Sequence, residues 1–389
     1  MSASLPMRVA VKVGTSTLTD PGGRIDRDFI SDLAGQLAEI HRAGSDVLLI
    51  TSGAIRAGRE RLSARADRLA GPTQQEYSAR NGDSLPYKQA AAAIGQGLLI
   101  HTYTEAFSEH GVDCAQILLT RDDLGDRKRF LNARNTLLAL LNLKVIPVIN
   151  ENDTVAVDEI KFGDNDSLAA QVATLVEADL LLILSDVDGL YERAPVEGLA
   201  EPAGLVSLVR RIDEHIIAMA GGRSESGVGT GGMATKVNAA RIATDAGIRT
   251  VIARGRRPGV IAEVTSGVDV GTVFLPRAFS DRVPARKRWI AHSARPRGYV
   301  TVNDRAKDKL LSNGVSLLAA GVVAVEGSFV AGDLIEVRDP AGEVFARGLT
   351  NYPASEVRRV KGMRSDQFEA ILGYQGFEEI VHRDNLVLD

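Results

Sequence analysis

The sequence predicts an α/β fold, in which an open, mostly parallel sheet sandwiched by helices is followed by a small β-rich domain at the C-terminal end. Two observations support this prediction. Strand-like and helix-like patterns alternate through the first 270 residues, and such alternation is typical of parallel sheets with helical crossovers. Beyond about residue 290, short strand-like runs are separated by Gly, Asp and Pro turns, which is typical of a compact β unit.

The strand predictions rest on short apolar runs, and the helix predictions rest on apolar residues at helical spacing. Arg8–Val13 is a β-branched run that ends at Gly14, and Asp46–Ile50 is a nearly continuous apolar run, as expected for a strand buried on both faces. Residues 27–43 carry apolar side chains at helical spacing, which predicts a helix that stops at Gly44. The same criteria predict strands at 115–119, 145–149, 180–184 and 250–253 and helices at 132–141, 167–176 and 234–246.

A change of character near residues 275–294 predicts a domain boundary. Basic residues crowd before Trp289, the only tryptophan, and the strands predicted beyond it are 298–302, 321–325, 334–337 and 344–349. We therefore divide the chain near 280–290 into a first domain of residues 1–280 and a linker plus β-rich domain of residues 281–389. Two stretches rich in Gly and polar residues, 65–86 and 221–232, are predicted loops, the first of them a flexible insertion.

Composition and charge narrow the classes of function. The 389-residue chain is 44% hydrophobic and 25% charged with a net charge of −4, so no chain-wide positive field attracts it to nucleic acid or anionic membrane. The single cysteine, Cys114, excludes an intrachain disulfide and is interpreted as a buried structural thiol in a reducing compartment. Neither a signal-peptide stretch at the N-terminus nor an apolar run of membrane-spanning length is found. We expect a cytoplasmic protein without membrane contact.

Polar or glycine-rich segments follow four of the predicted strands. They are residues 14–16, 51–54, 150–153 and 185–189. Because ligands of open α/β sheets bind outside the carboxyl ends of the strands, we expect these segments to form a single site at one edge. Ser52, Gly53 and Ala54 can offer a hydroxyl and backbone N–H groups to a carboxylate, and Ser185 and Asp186 suit a nucleotide. Ordinary turns remain the alternative for both segments.

Two lysines are candidates for binding phosphate. Lys12 lies inside an apolar strand beside Gly14, where it either reaches a phosphate or faces solvent from an edge strand. The segment 227–236 is glycine-rich and opens a predicted helix, so backbone N–H groups, the helix dipole and Lys236 favour an anion over a plain linker. This segment lacks the Gly-Lys-Ser/Thr sequence of a P-loop.

Acidic and amide side chains form the third group of candidates. Residues 161–166 place two acids and an amide before a predicted helix. One interpretation is structural, with Asp166 or Ser167 as the N-cap of that helix. The other is functional: the Asp166 carboxylate organises lysines or holds Mg²⁺, and Asn165 forms a hydrogen bond with a substrate. The segment 150–153 adds further acids and amides at the same predicted edge, which suits an amino group and a metal. The six histidines lack metal-ligand spacing, so we assign no metal site to the protein side chains.

Taken together, these segments resemble the amino acid kinase family and, within it, the branch that phosphorylates glutamate. The resemblance rests on segments 11–16, 51–54, 130–136, 147–153, 163–166 and 230–236, which follow in the family's order. The C-terminal part, with Gly373, Tyr374 and residues 381–384, resembles the PUA domain that ends many such kinases. The resemblance covers nearly the whole chain, and one departure is segment 65–86, which is longer than the corresponding segment of the family.

The resemblance implies a role for each matching residue. Lys12 and Lys236 would contact the phosphates of ATP and stabilise charge on the transferred group, and Asp166 would hold both lysines. The residues that would bind L-glutamate are Ser52, Gly53, Ala54, Asn150, Asp153, Asn165 and Asp166. The residues that would bind ATP are Lys12, Gly14, Ser185, Asp186, Thr230, Gly231, Gly232, Met233, Ala234, Thr235 and Lys236, and Mg²⁺ is the second implied cofactor.

The implied reaction converts ATP and L-glutamate to ADP and L-glutamyl 5-phosphate, the first step of proline biosynthesis. The family also implies feedback inhibition by proline and a homo-oligomer, either a dimer or a tetramer. Three alternatives remain open. In the first, the phosphate acceptor is aspartate, N-acetylglutamate, carbamate or a nucleoside monophosphate. In the second, RNA binding by the PUA domain is the main function. In the third, the protein is catalytically dead, and the intact set of Lys12, Asp166 and Lys236 argues against this alternative.

Overall fold

The structure, a computed structural model, describes residues 7–69, 82, 84–156, 165–192, 204–221, 232–277, 290, 296–374 and 376–388. Contacts between residues divide the chain into two compact units, one of residues 1–123 and 130–282 and the other of residues 124–129 and 283–389. The boundary predicted at 280–290 falls almost entirely outside the described residues and stays a prediction. No helix within the described ranges combines the length and the apolar character that a membrane crossing needs.

Within the described residues, the first unit forms an eight-stranded sheet. Its strands are β1 (Arg8–Val13), β2 (Asp46–Ile50), β3 (Cys114–Leu119), β4 (Ile146–Glu151), β5 (Leu180–Ser185), β6 (Leu208–Val209), β7 (Arg249–Arg254) and β8 (Thr272–Phe274). They lie in the order β3-β4-β2-β1-β5-β7-β8-β6, and β7 with β8 is the antiparallel pair among otherwise parallel neighbours. The prediction of an open, mostly parallel sheet is confirmed. β1 lies between β2 and β5, so later strands of the chain are added to the sheet on both sides of β1.

Helices connect these strands and cover the sheet. They are α1 (Thr15–Leu18), α2 (Arg27–Arg42), α3 (Ala54–Leu69), α4 (Leu85–Ser108), α5 (Arg121–Gly125), α6 (Arg127–Asn142), α7 (Asn165–Leu175), α8 (Glu214–Met219), α9 (Met233–Asp245) and α10 (Val260–Thr265). Side chains of a strand alternate between its two faces. Val9, Val11 and Val13 of β1 therefore enter one core with α2, whereas Lys12 lies on the opposite face, which α7 covers.

Several predicted elements differ from the observed ones. The predicted loop 65–86 contains the last residues of α3 and the first residues of α4, and its residues 70–81 and 83 lie outside the described part of the chain. Pro86 fits the first turn of α4, where a backbone N–H has no helical partner. β4 extends to Glu151, so Asn150 belongs to the strand and not to the loop after it. Of the predicted loop 221–232, residues 222–231 are outside the described part, and Gly232 is the N-cap of α9.

The second unit has a five-stranded sheet in its described part. The strands are β9 (Gly298–Val302), β10 (Val322–Gly327), β11 (Leu334–Arg338), β12 (Val344–Thr350) and β13 (Val381–Leu388), in the order β10-β9-β11-β12-β13. β9 and β11 are parallel, and the other neighbours are antiparallel. The sequence did not predict α11 (Asp304–Asn313), α12 (Ala354–Val360) and α13 (Phe368–Leu372), which each contribute apolar side chains to the core of this unit. The prediction of a small β-rich C-terminal domain is confirmed.

Helices α3 and α4 cross at a distance that only glycine allows. A Cβ atom on Gly95 would lie 1.7 Å from the carbonyl oxygen of Ala54, and one on Gly58 would lie 1.8 Å from the carbonyl oxygen of Ala91. These contacts are with backbone atoms, which cannot rotate away as a side chain can. The crossing therefore fixes the first residue of α3, Ala54, against the middle of α4.

Replacing Gly95 by Ala should destabilise the first unit, because the added methyl group forces the two helix backbones apart. We expect a loss of about 1–3 kcal/mol in the free energy of unfolding, as for other overpacked cores. Gly97, two residues further along α4, is exposed, and its Cβ would meet no atom within 4 Å. Gly97→Ala should therefore stabilise the helix by about 0.5–1 kcal/mol. Urea unfolding followed by circular dichroism compares the two variants, and equal shifts of the midpoint would contradict the close crossing.

Candidate active site

The carboxyl ends of the central strands bring the candidate segments to one edge of the sheet. Lys12 is in register with Ile50 of β2 and Ile183 of β5, and Ile50 is in register with Ile149 of β4. The segments that follow β1, β2 and β5 and the last residues of β4 therefore lie side by side. This edge is the point where the strand order switches, which is where open α/β sheets bind ligands.

Two lysines share one buried carboxylate at this edge. Lys12 of β1 forms an ion pair with Oδ1 of Asp166, and Nζ of Lys236 in α9 lies 3.3 Å from Oδ2 of Asp166. Lys12, Asp166 and Lys236 are 5%, 1% and 7% exposed. The carboxylate reaches both lysines because α7 packs against both β1 and α9. The alternative of a solvent-facing Lys12 on an edge strand is wrong, since β1 is central and its lysine is paired.

Asp166 is held in its ionised form. Burial raises the pKa of the carboxyl group, but the charges of Lys12 and Lys236 and hydrogen bonds from Lys12 and Thr235 outweigh this effect and lower the pKa of Asp166 below its ordinary value. Thr235 contributes its hydroxyl, which lies 2.8 Å from Oδ2 of Asp166. The three charged groups together carry one net positive charge, which is enclosed by protein at the end of the central strand.

The first turn of α7 supplies both the carboxylate and an amide of the site. The helix begins at Asn165, so Asp166 and Ser167 lie inside its first turn, and the interpretation of either as the N-cap is wrong. Negative charge is favourable at this position because the first backbone N–H groups of a helix have no helical partner and form its positive end. Asp166 contacts the lysines, whereas its neighbour Asn165 contacts a separate group of polar residues.

Asn165 is oriented by three acceptors. Its Nδ2 atom lies 2.8 Å from the carbonyl oxygen of Thr51, 2.7 Å from Oγ of Ser52 and 3.0 Å from Oδ1 of Asn150. Since an amide nitrogen donates and cannot accept, these contacts assign the two ends of the Asn165 amide. The side chain directs its nitrogen to β2 and β4 and its acceptor oxygen elsewhere.

Two buried residues of α4 that the sequence analysis missed support this amide group. Gln96 donates from Nε2 to the carbonyl oxygen of Glu151 at 3.0 Å and accepts at Oε1 from Nδ2 of Asn150 at 3.3 Å. The hydroxyl of Tyr103 lies 2.9 Å from Oγ1 of Thr51, and burial raises the pKa of Tyr103, so this hydroxyl stays neutral. No sequence motif includes Gln96 or Tyr103, and the bounds of α4, the helix that contains them, were not predicted from the sequence.

Two glycines at the same edge have different constraints. Gly14 has ordinary extended backbone angles, but a Cβ there would lie 3.3 Å from Nζ of Lys12, so a glycine keeps the space beside the ammonium group open. Gly53 has a φ of +97°, which residues with a side chain rarely adopt. The turn of the main chain after β2 therefore depends on Gly53, and Ala54 then begins α3.

Of the remaining candidates, some lie in described segments that follow strands or begin α9, and two lie outside the described residues. Ser185, the last residue of β5, donates from its hydroxyl to Oδ1 of Asp186 at 3.1 Å. Asp153 lies in a turn that follows β4. Gly232 precedes α9, whose first turns contain Met233, Ala234, Thr235 and Lys236, whereas Thr230 and Gly231 lie outside the described part of the chain. Among the described residues, no group of three His, Cys, Asp or Glu side chains could hold a metal ion.

Some basic residues of the second unit are engaged within that unit. Arg358 and Arg359 of α12 donate to backbone carbonyl oxygens, and the guanidinium of Arg338 lies 3.8 Å from the ring centroid of Tyr299. Residues 286–289 and 295, which include Trp289, lie outside the described part. The prediction of RNA binding therefore stays a prediction.

Comparison with known proteins identifies the family. The model of the amino acid kinase family matches residues 7–254, and the model of the PUA domain matches residues 298–372. The chain belongs to the amino acid kinase family and carries a C-terminal PUA domain. The resemblance inferred from the sequence motifs is confirmed.

Curated relatives of similar length identify the branch of the family. Glutamate 5-kinase of Trichlorobacter lovleyi is 48% identical over 382 residues, which span 98% of this chain and 96% of that protein. Glutamate 5-kinase of Moorella thermoacetica is 46% identical over 388 residues, which span 100% of this chain and 98% of that protein. Glutamate 5-kinase of Pelobacter propionicus is 48% identical over 381 residues, which span 98% and 97% of the two chains.

Replacing Asp166 by Asn should destabilise the protein, because it removes the negative charge that both buried ammonium groups contact. We expect a loss of about 3–5 kcal/mol in the free energy of unfolding at neutral pH, the usual cost of removing one partner of a buried ion pair. Since the native pKa of Asp166 is lowered, its stabilisation is fully present above the ordinary carboxyl value of 3.8 and is lost as the pH falls further, through the native pKa.

Urea unfolding of the wild type and Asp166→Asn between pH 7 and pH 3 measures this difference. Asp269→Asn is the matched control, since the Asp269 side chain is 79% exposed and its ion pair with Arg249 is long, at 3.6 Å. The control should change stability little at any of these pH values. The buried ion pairs would be contradicted if Asp166→Asn lowers the free energy of unfolding only slightly at pH 7, or if its difference from the wild type does not decrease toward pH 3.

Proposed function

We propose that the protein transfers the γ-phosphate of ATP to the side-chain carboxylate of L-glutamate and so forms L-glutamyl 5-phosphate and ADP. The observation that carries this proposal is the carboxylate of Asp166 between two buried lysines, beside an oriented amide group at the carboxyl end of the central strand. The full-length relatives named glutamate 5-kinase support the choice of substrate.

On the donor side, Lys12 and Lys236 would contact the phosphates of ATP, and Asp166 would keep the two ammonium groups at a fixed separation. The net positive charge of this group suits the negative charge that the phosphates bring. Gly14 leaves room beside Lys12 for a phosphate oxygen. The nucleotide would also be bound by Ser185, Asp186 and the segment 230–236. The first backbone N–H groups of α9 have no partner within the helix itself, which favours phosphate at this end.

On the acceptor side, Ser52, Gly53, Ala54, Asn150, Asp153 and Asn165 would bind glutamate, with Asp166 nearby. Asn165 supports this role because its nitrogen is engaged by the protein, so its oxygen is the end that could accept from the α-ammonium group. Backbone N–H groups at the start of α3 suit a carboxylate. Because Asn165 and Asp166 are neighbours, the proposed glutamate-binding residues would lie next to the proposed phosphate-binding lysines.

The reaction needs alignment and charge stabilisation more than acid–base chemistry. A side-chain carboxylate is ionised near neutral pH, so its oxygen attacks the γ-phosphorus without a general base. The bond between that phosphorus and the bridging oxygen breaks, and ADP takes the electron pair. The lysines offset the repulsion between the two anions. This account agrees with a site that contains no histidine among the contacts described for it.

Magnesium suits this site as a partner of ATP. Asp166 is engaged by two lysines, and the described residues provide no cluster of three metal ligands. Mg²⁺ is usually held by one or two carboxylates together with substrate phosphates and water, so the phosphates would be its principal ligands here, with Asp186 as the carboxylate at the nucleotide end. When bound, the ion neutralises charge on the phosphates.

Regulation and assembly are proposed from the family alone. The product would enter proline biosynthesis, proline would inhibit the enzyme, and the chain would form a homo-oligomer, a dimer or a tetramer, in the cytoplasm. Titration of the activity with proline and the mass of the native protein in solution test these statements independently of the chemistry.

The reaction is tested by release of ADP from purified protein with MgATP and glutamate, aspartate, N-acetylglutamate or carbamate, with hydroxylamine present to trap acyl phosphates. We expect turnover with glutamate and formation of glutamyl hydroxamate. Turnover with a different acid would change the proposed substrate but not the proposed class of reaction. If none of these acids is phosphorylated while RNA binds with a steep dependence on salt, the proposal fails in favour of the RNA-binding alternative.

Removing either lysine should impair catalysis. Lys12→Ala and Lys236→Ala should each lower kcat by roughly 10²–10³-fold, the effect of losing one donor that stabilises transition-state charge. Lys309→Ala is the matched control, since Lys309 is exposed on α11 of the second unit. Steady-state kinetics measure the change. Near-normal kcat in both site variants, or an equal loss in the control, would overturn the assignment.

A further inference from the structure

A conspicuous contact group outside the proposed site centres on Arg256, which follows β7. The Nη1 atom of Arg256 lies 2.8 Å from Oδ2 of Asp26, and its Nη2 atom donates to the carbonyl oxygens of Thr17 at 3.1 Å and Thr19 at 2.8 Å. The guanidinium carbon also lies 4.9 Å from the ring centroid of Phe29. One side chain therefore contacts a carboxylate, two backbone carbonyls and an aromatic ring.

The acceptors of Arg256 all belong to residues 14–26, which we name the β1–α2 connection. This connection contains α1, whose last carbonyl groups have no further helical turn to pair with, and a turn closed by a bridge between Thr19 and Ile25. Arg256 donates hydrogen bonds to carbonyl groups at the end of α1 and to the carboxylate of Asp26, which is the N-cap of α2. It therefore ties the end of α1 and the last residue of the connection, Asp26, to the end of β7.

On the nucleotide side, the residue before Arg256 links the connection to β5. The backbone N–H of Gly255 donates to the carbonyl oxygen of Ser185 at 2.8 Å. A Cβ on Gly255 would lie 2.6 Å from Cγ2 of Thr17, so the turn after β7 lies directly against α1. Ser185, which we propose to contact ATP, is thus connected to α1 through Gly255 and Arg256.

On the acceptor side, the same connection packs against the segment that follows β2. A Cβ on Gly53 would lie 3.4 Å from Cδ1 of Ile25 and 3.7 Å from Cδ1 of Leu18. The backbone N–H of Ile25 donates to Oε2 of Glu60 in α3 at 3.3 Å, and Arg56 of α3 donates to the carbonyl oxygen of Gly23. The connection is therefore packed between the end of β7 and the start of α3.

We propose that Arg256 is a positioning residue for phosphoryl transfer, acting through the β1–α2 connection, which begins at Gly14, two residues after Lys12, and packs against Gly53. This inference rests on the proposed function, since it concerns the distance between the nucleotide and the acceptor. A planar guanidinium presents five N–H donors on three separated nitrogens, whereas the three donors of a lysine ammonium share one nitrogen and span separated acceptors less well. Loss of this contact would remove no residue that is proposed to bind a substrate, but it would loosen the connection and the segment 51–56 that packs against it.

The test compares Arg256→Gln with Arg257→Gln. Arg257 is the neighbouring residue and forms a bidentate pair with Glu263, at 2.8 and 3.2 Å, away from the connection. Arg256→Gln should lower kcat by roughly 10–100-fold, because small misplacement of reacting groups is costly, while KM for ATP and for glutamate changes by less than about threefold. Arg256→Lys should lie between the wild type and Arg256→Gln, and Arg257→Gln should match the wild type.

Asp26→Asn tests whether Arg256 acts through its partner in the connection. Asparagine caps helices as well as aspartate does, so α2 is preserved while the charge of the Arg256 partner is removed. Asp26→Asn alone should lower kcat, and adding it to Arg256→Gln should have little further effect. Thermal unfolding of every variant establishes that the kinetics are measured on folded protein. Independent, multiplying losses would contradict the proposed route.

Hydrogen exchange gives a readout that does not depend on the substrate. Peptides from residues 14–26 and 51–56 should exchange faster in Arg256→Gln than in the wild type and Arg257→Gln. Unchanged exchange together with unchanged kcat would overturn the positioning role. If the wild type phosphorylates no acid, the proposed function fails, and the exchange comparison alone still decides whether Arg256 holds the connection: faster exchange confined to Arg256→Gln supports it, and equal exchange refutes it.

Discussion

The carboxylate of Asp166 is the group on which the rest of the site depends. Two ammonium groups, on Lys12 and Lys236, come from elements that are far apart in the chain and meet in a nearly dry environment. Without an anion between them they would repel each other and lose hydration at the same time. Asp166 makes their approach possible, and because one negative charge faces two positive ones, the group keeps a net positive charge for an incoming anion.

Helix α7 allows the carboxylate to take this position. It is buried nearly all round, packs against β1 and α9, and begins at the carboxyl edge of the sheet. Its first two residues then act in opposite directions, since Asn165 contacts Ser52 and Asn150 while Asp166 contacts the lysines. A shift of this one helix would therefore disturb the lysine–carboxylate group and the amide group together. The extensive burial of α7 stabilises the position that the charged group requires.

The sequence predicts the parts of this arrangement that are local. Alternating patterns predict the central strands, and polar residues at strand ends predict the edge where the site lies. The pattern around Lys12 is compatible with either an edge strand or a central strand, because the order of strands depends on contacts between distant residues. The lysine–carboxylate pairing therefore becomes evident only when β1 is seen between β2 and β5.

Helix α4 shows why the rest could not be predicted. Its sequence combines apolar residues on several sides with two glycines, so it lacks the one-sided pattern of a surface helix. Gly95 is explained by a contact with the backbone of α3, and Gln96 by hydrogen bonds to β4, and both partners are distant in sequence. A residue whose role is to orient another residue leaves no motif of its own.

The charged groups at the amino ends and at the carboxyl ends of the strands differ in how deeply they are buried. At the amino ends of the strands, Arg8 and Lys144 share Asp46 at 3.2 and 3.0 Å, with side chains that remain partly exposed to solvent. Such partly exposed pairs require less desolvation than a fully buried pair. At the carboxyl ends, the lysine–carboxylate group is almost fully buried, where replacing an ion pair by well-packed apolar residues is often neutral or stabilising. Stability alone does not explain its presence. The proposed function does, because a site that offsets the charge of two anions would need its lysines in a dry environment, where water does not screen them from the phosphates.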